Sequence, residues 1–261
     1  MKGFGKAAGS HQNATLESMA FCSCLTAATA FYYVSATVPG TYTFTVENWT
    51  NNGWGFHDVD RTEESGLVRI GTDGSRMTRI NHYEYKKWLV PRESWTYDLL
   101  YRASEQSSYV IDPKLHKIGI VPCIDRFSGV KCSPVPQPAA DDNKCSQTAS
   151  EKMKGAEFVG FGVTAGLSTA RYRHATGLIR WSPTRPLERY TYEVAFAPEL
   201  GCAIVEALHT TYNSMSIPTI YTHFVTRSFK RDAPGADAFL LPQGYEMLSN
   251  FLPAPFQGPV E

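Results

Sequence analysis

Strict alternation of apolar and polar residues is the feature that most constrains this chain. In residues 41–46, Tyr42, Phe44 and Val46 share one side of an extended segment, and three threonines share the other. Comparable short stretches lie at 67–70, 76–80, 84–90, 94–101, 107–111, 117–121, 158–163, 169–181, 189–197, 202–210 and 219–228. Strands at this spacing predict a mainly antiparallel β fold with few helices.

Turn residues separate several of these stretches. The Asp73-Gly74 pair within Gly71–Ser75 predicts a hairpin turn, and Asp112-Pro113 predicts another. Near the end of the chain, Phe239 and Leu241 alternate into Pro242, which predicts a strand at an edge of the sheet. Only residues 13–30 and 245–251 have a pattern that suits a helix.

The N-terminal region indicates the compartment. Residues 19–40 carry no charge, and two lysines precede them. Small residues lie within this stretch at Ala28, Ala30 and Ala36. This pattern predicts a secretory signal, with the mature chain beginning between residues 25 and 40. A membrane anchor and a buried N-terminal helix are the alternatives. We therefore expect residues 1–36 to be a signal peptide or anchor and residues 37–261 to form one β-rich domain.

Cysteine usage agrees with export. Cys22 and Cys24 lie in the presumed signal, which leaves four disulfide candidates, Cys123, Cys132, Cys145 and Cys202. An even number of cysteines in an exported chain suggests two disulfides, and the spacing does not match a structural zinc site. Three pairings are possible. Local closure of the Pro-rich cysteine loop at 123–148 favours Cys132 with Cys145, which leaves Cys123 with Cys202.

Charge argues against nucleic acid as a partner. The chain has 25 Lys plus Arg and 25 Asp plus Glu, so its formal net charge is zero. A protein that binds a polyanion would normally carry a basic excess. The adjacent carboxylates Glu63-Glu64 are interpreted as solvated charge in a loop.

The residue pattern does not assign an active site. The glycine run at 160–166 has its third Gly one residue too late for a dinucleotide fingerprint, so it predicts a bent strand or turn. His57–Asp60 is a weak candidate for a cation site, and Cys202 near His209 or His223 for a nucleophile. A hydrolase would require groups such as His82, Glu84 and Asp98 to meet across strands. No catalytic, cofactor-binding or metal-binding residue is assigned.

Three passages carry a family resemblance: LVRIGTDGSRMTRI at 67–80, SYVIDPKLHKIG at 108–119, and APELGC at 197–202 followed by AFLLPQGY at 238–245. Together they resemble uncharacterised exported bacterial proteins that are similar in plan to the lipoprotein-carrier (LolA/LolB-like) half-barrel superfamily. The resemblance implies a curved open antiparallel sheet or half-barrel and an envelope location. The cysteine loop looks like an insertion, and the family pattern supplies no catalytic residue.

These observations predict an exported, non-catalytic cell-envelope protein with a structural or protein-binding role, in the periplasm or outside the cell. One alternative is a carrier or sensor of a lipid or other apolar ligand, held on the concave side of the sheet. A second alternative is a hydrolase of unknown substrate. We expect an envelope protein or an acyl ligand as partner, no nucleic acid and no cofactor.

Overall fold

The computed structural model describes residues 38–51, 59–86, 90–121, 142–153, 155–178, 187–249 and 251. The predicted signal or anchor, the predicted helix at 13–30, and Cys123 and Cys132 lie outside these ranges. Within them, no helix is both long and apolar enough to cross a membrane.

The described residues form twelve strands and one α-helix. The strands are β1 (Gly40–Asn51), β2 (Val59–Ile70), β3 (Arg76–Lys86), β4 (Val90–Arg102), β5 (Ser107–Asp112), β6 (Lys117–Val121), β7 (Glu157–Thr164), β8 (Leu167–Ala175), β9 (Glu188–Ala197), β10 (Ala203–Asn213), β11 (Pro218–Lys230) and β12 (Glu246–Leu248). The helix, α1, spans Asp142–Lys152. Short 3-10 turns lie at Pro198–Leu200 and Ala236–Phe239.

All twelve strands belong to one open sheet in the order β12-β6-β5-β4-β3-β2-β1-β11-β10-β9-β8-β7. Every neighbouring pair is antiparallel except β12 with β6, which is parallel. Strand β1 pairs with both β2 and β11, so it joins the two meanders into one sheet. The predicted antiparallel open sheet is confirmed.

One side of the sheet, which we call the core face, carries the main apolar cluster. Tyr42, Phe44 and Val46 of β1 are buried there, as their alternation predicts. Their neighbours across the sheet include Val68 of β2 and Phe224 of β11. Burial raises the pKa of the Tyr42 hydroxyl and lowers that of the Arg76 guanidinium to about 10.

The opposite face of β3 to β6 is covered by the C-terminal segment. Phe239 packs there in a second buried cluster with Leu100, Tyr109, Ile111 and Ile118. The predicted strand at Phe239–Pro242 is wrong, because Ala236–Phe239 is a 3-10 turn that places the Phe239 ring on the sheet. The predicted helix at 245–251 is also wrong, since Glu246–Leu248 is the edge strand β12.

Two turns have the predicted geometry. Gly71 N–H donates to the Ser75 carbonyl at 2.8 Å and closes the β2–β3 hairpin. Asp73 accepts from the Ser75 N–H at 2.8 Å, and this bond lowers the pKa of the Asp73 carboxyl. The Asp112 carboxylate accepts two backbone N–H groups in the β5–β6 turn.

Several strand bounds differ from the prediction. Glu84 belongs to β3, which continues from Arg76, rather than to a separate strand at 84–90. Strand β8 ends at Ala175, whereas the pattern predicted a strand through residue 181. Glu63 and Glu64, interpreted as loop residues, lie within β2, and the Glu64 side chain is buried.

Helix α1 is joined to the sheet by a disulfide between Cys145 and Cys202, whose Cα atoms are 5.1 Å apart. The predicted pairs, Cys132 with Cys145 and Cys123 with Cys202, are therefore wrong. Residues 142–148, predicted as loop, are helical. The helix sets Cys145 and Ala149 on one buried side, and Met153 continues that side just beyond its end.

Cys202 lies in a strained connection between β9 and β10. Gly201 and Cys202 have φ angles of 68° and 63°, the left-handed region that favours glycine. The Cys202 N–H donates to the Ala197 carbonyl at 3.0 Å and closes the turn. The disulfide thus fastens α1 to a fixed corner of the sheet.

We predict that the double substitution Cys145→Ser with Cys202→Ser lowers the free energy of unfolding by about 3–4 kcal/mol, because the bridge closes a long loop in the unfolded chain. Chemical denaturation measures the loss. Reduction of the wild-type protein should give the same loss and leave the double variant unchanged. Equal stability of the oxidised wild type and the double variant would contradict the assignment.

Candidate functional site

The glycine run at 160–166 forms the end of a β-hairpin. Thr164 pairs with Leu167, so Ala165 and Gly166 make a two-residue turn with φ angles of 53° and 80°. Two positive φ angles are typical of the tight turns that join antiparallel strands. The register shifts between Phe158 and Gly160, which marks a β-bulge. The predicted bent strand and turn are confirmed.

Strand β7 is an edge of the sheet and exposes apolar side chains. The exposed fractions are 52% for Phe158, 52% for Val159, 71% for Phe161 and 69% for Val163. Exposed single apolar residues are ordinary, but four within six consecutive positions form a continuous patch. We call Phe158–Val163 the apolar edge.

The apolar edge is anchored to the interior by aromatic contacts. The rings of Phe158 and Phe161 have centroids 5.0 Å apart, and Phe158 lies 5.4 Å from Tyr172 of β8. Tyr172 in turn contacts the fully buried Phe196 of β9 at 5.9 Å. Edge-to-face contacts of this kind fix the orientation of rings, so the exposed rings are held rather than free.

The sheet bends strongly at this end. Strands β7 and β11 are separated by three strands, yet some of their Cα atoms lie within 8 Å of each other. In a flat sheet with about 4.8 Å between neighbouring strands, four steps would place them about 19 Å apart. The β-bulges in β7 and β10 are features that allow such bending.

A polar cluster holds the bent end together on the face opposite the core face. The Thr164 hydroxyl donates to Glu206 Oε2 at 3.0 Å, and Arg171 Nη2 donates to the same oxygen at 2.7 Å. Glu206 Oε1 lies 3.3 Å from Nε2 of His223. These contacts connect β7, β8, β10 and β11. A Cβ at Gly162 would lie 2.7 Å from Nε of Arg171, so a larger residue there would require the Arg171 side chain to shift.

Electrostatics favour the charged form of Glu206. Partial burial raises its pKa, but the Thr164 hydrogen bond, the Arg171 charge and the His223 contact together outweigh burial and hold the pKa below its ordinary value. Sequence reasoning missed this cluster, since Arg171, Glu206 and His223 are far apart in the chain and only the strand order brings them together.

The three groups that a hydrolase would require to meet, His82, Glu84 and Asp98, do not converge. His82 is paired with Trp95, and Asp98 with Arg79, in the register of β3 and β4. Because side chains alternate between faces, Arg79 and Asp98 lie on the face opposite His82 and Glu84. Asp98 instead forms two hydrogen bonds of 2.8 Å with Arg79.

His82 has a structural environment on the core face. Its Nδ1 lies 2.8 Å from Oε1 of the buried Glu64, and its ring stacks on Trp95 at 4.1 Å. The sequence prediction treated Glu64 as solvated, although its even-numbered spacing from the buried Val68 on the same strand places both on one face.

The remaining candidates are Cys202 and the segment at His57–Asp60. Cys202 is in a disulfide, so it is not a free nucleophile. His57 and Asp58 lie outside the described residues. Within the described ranges, no group of three or more His, Cys, Asp or Glu is arranged to hold a metal ion.

Comparisons with known proteins give structural matches only. No protein-family model matches the chain, and no curated protein matches it. Among solved structures, it is similar to the MucA/MucB complex of Pseudomonas aeruginosa (TM-score 0.38, 11% identity, covering 88% of this chain and 67% of that chain) and to LprF from Mycobacterium bovis (TM-score 0.34, 10% identity, covering 79% of this chain and 92% of that chain).

A LolA superfamily protein from Nitrosomonas europaea is also similar (TM-score 0.29, 9% identity, covering 84% of this chain and 99% of that chain). Similarity at these TM-scores and identities does not transfer the activity of any of these proteins to this chain.

We predict that acid weakens the bent end of the sheet through Glu206. Because the folded pKa of Glu206 is lowered, its contribution to stability is complete above the unfolded pKa and is lost as the pH falls through the folded pKa. The free energy of unfolding of the wild type should fall between about pH 5 and pH 3, and Glu206→Gln should reduce this fall.

Denaturant titrations across this range measure the effect. Glu193→Gln, which removes an exposed ion pair with Arg173 on the same face, is the matched control and should change the pH dependence less. Identical pH dependence in the wild type and Glu206→Gln would contradict the prediction.

Proposed function

We propose that this chain is an exported, non-catalytic cell-envelope protein that binds another protein by adding a strand to the apolar edge. The observation that carries the proposal is the exposure of Phe158, Val159, Phe161 and Val163 on an edge strand. An exposed edge strand presents a row of backbone donors and acceptors, to which a second strand can pair.

The two edges of the sheet differ in a way that supports this role. Edge strand β12 has three residues and begins with the charged Glu246, which limits pairing with another chain. Edge strand β7 has eight residues, and no charged residue or proline lies between Phe158 and Thr164. Natural sheets usually protect an edge with such residues, so an apolar, uncharged edge is typical of a binding surface.

In strand addition, the backbone and the side chains of the edge have different roles. Backbone hydrogen bonds supply affinity for any extended segment, while the pockets between alternate side chains supply specificity. Phe158 packs against Tyr172, and Phe161 packs against Phe158, which favours one orientation of both rings. Aromatic residues that are fixed before binding lose little conformational entropy when they become buried.

The disulfide supports the exported location. Disulfides persist in oxidising compartments such as the periplasm and the cell exterior, and are rare in the bacterial cytosol. Cys145 and Cys202 are fully or almost fully buried and form one. The signal peptide or anchor at 1–36 and the periplasmic or extracellular location remain parts of the proposal.

The carrier alternative stays a prediction. Native mass spectrometry of the exported protein would detect a co-purified lipid or acyl chain if the core face holds one.

We predict that the apolar edge contacts another polypeptide in living cells. A photo-reactive amino acid placed at Phe161 should give cross-linked products larger than the chain. The control is the same amino acid at Met215, which is 69% exposed in the β10–β11 turn, and it should give few such products. Gel electrophoresis after irradiation of the exporting host measures both.

The same experiment tests how the partner binds. Val163→Lys adds a charge to the apolar edge and should remove the products formed from position 161. Equal labelling from positions 161 and 215, or labelling that Val163→Lys leaves unchanged, would contradict the proposal.

A further inference from the structure

We infer that the strand added to the apolar edge is β7 of a second copy of this chain, paired antiparallel about a two-fold axis. The inference rests on the proposed function, because it requires β7 to be a docking edge, and it names the occupant of that edge.

The sequence of the edge reads the same in both directions. Residues 159–163 are V-G-F-G-V, centred on Phe161. Antiparallel pairing reverses the direction of the second strand. Pairing centred on Phe161 therefore places Phe161 opposite its own counterpart and Gly160 opposite Gly162. The same register sets Val159 opposite Val163, where the β-bulge at Val159 must straighten for the pair to form. Every pair in this register matches in size and polarity.

A two-fold axis requires this kind of self-complementarity. In a two-fold dimer the same patch meets itself, so each residue i that contacts j is matched by j contacting i. Most edge strands do not satisfy this condition, because a large residue on one copy meets a mismatched one on the other. The V-G-F-G-V sequence satisfies it at all five positions, of which Val159 lies at the β-bulge.

Charge also permits the pairing. Glu157 is the charged residue of β7, and in this register it lies opposite Ala165 rather than opposite another Glu157. Directly opposed like charges would destabilise the pair. The formal net charge of the chain is zero, so two copies do not repel each other over longer distances.

The two glycines differ in the space beside them. A Cβ at Gly160 would meet nothing within 4 Å, whereas a Cβ at Gly162 would lie 2.7 Å from Nε of Arg171. The Phe161 rings would stack across the axis, each flanked by a Val159–Val163 pair. Cross-strand aromatic and β-branched pairs are the contacts that stabilise paired strands.

The test is the mass of the protein in solution. Size-exclusion chromatography with light scattering should show a dimer whose fraction rises with concentration. Phe161→Lys and Phe161→Glu should each weaken the dimer by roughly a hundredfold, since like charges would face each other. Met215→Lys, at a residue of equal exposure outside the edge, should leave the dimer intact.

The register is tested by mixing variants. Phe161→Lys and Phe161→Glu chains, combined in equal amounts, should form a heterodimer, because the two substituted residues lie opposite each other. Val159→Lys combined with Val163→Glu is a second test of the same register, and these chains should also form a heterodimer. This pair replaces the Phe161 variants if those variants lose the wild-type circular dichroism spectrum.

The outcomes distinguish self-pairing of β7 from the proposed function, in which β7 pairs with any partner. A wild-type monomer at every concentration, with cross-links from position 161 to a different protein, overturns self-pairing and leaves the docking edge in place. A monomer without such cross-links overturns both. A dimer that Phe161→Lys does not weaken also overturns self-pairing, because its interface lies elsewhere.

Discussion

An open sheet must have two edges, and the unpaired backbone groups of these edges are the constraint on which this structure depends. In the part of the chain that the structure describes, twelve strands lie in one sheet, and β12 and β7 end it. One edge is only three residues long and carries Glu246, whereas the other is eight residues long and apolar. The unpaired backbone groups of an apolar edge strand can pair with another strand. The proposal that this protein binds a partner strand therefore depends on β7 being an edge.

The rest of the molecule keeps that edge rigid. Tyr172 and Phe196 connect the exposed rings to the buried cluster. On the other face, Glu206 of β10 contacts His223 of the neighbouring β11 and also Thr164 of β7 and Arg171 of β8, which are not neighbours of β10. These contacts combine an aromatic anchor on one face with an ionic anchor on the other. The edge is therefore presented in one conformation, which reduces the entropic cost of pairing.

Local sequence pattern predicted the strands and several turns, because alternation and turn residues act over a few positions. Tyr42, Phe44 and Val46 are buried together, and Asp73-Gly74 lies in a hairpin turn, as expected. The pairing of β1 with β11 joins residues far apart in the chain, and no local pattern encodes it. The Glu206 cluster depends on the bend that brings β7 close to β11, and the failure of His82 and Asp98 to meet follows from the register of β3 and β4.

Other errors arose where tertiary contacts override local preference. Helix α1 is polar along most of its length, so only the spacing of Cys145, Ala149 and Met153 indicates a buried side. The disulfide prediction favoured the nearest cysteine, but the helix turns Cys145 toward Cys202. The segment at Phe239 alternates like a strand, yet its ring is taken up by the cluster over β3 to β6. In the apolar edge, the glycine run predicted a bent strand and a turn, but it did not predict that Phe158 and Phe161 would be exposed.

Hydrogen exchange of the β7 amides tests the central claim most directly, because pairing at an edge protects backbone N–H groups that are otherwise open to water. Mass spectrometry of the peptide spanning residues 157–164 would follow exchange as the protein concentration is raised and after addition of envelope extract. The account predicts slower exchange in β7 under at least one of these conditions, with exchange in β12 unchanged. Exchange in β7 that is equally fast under all of them would contradict it.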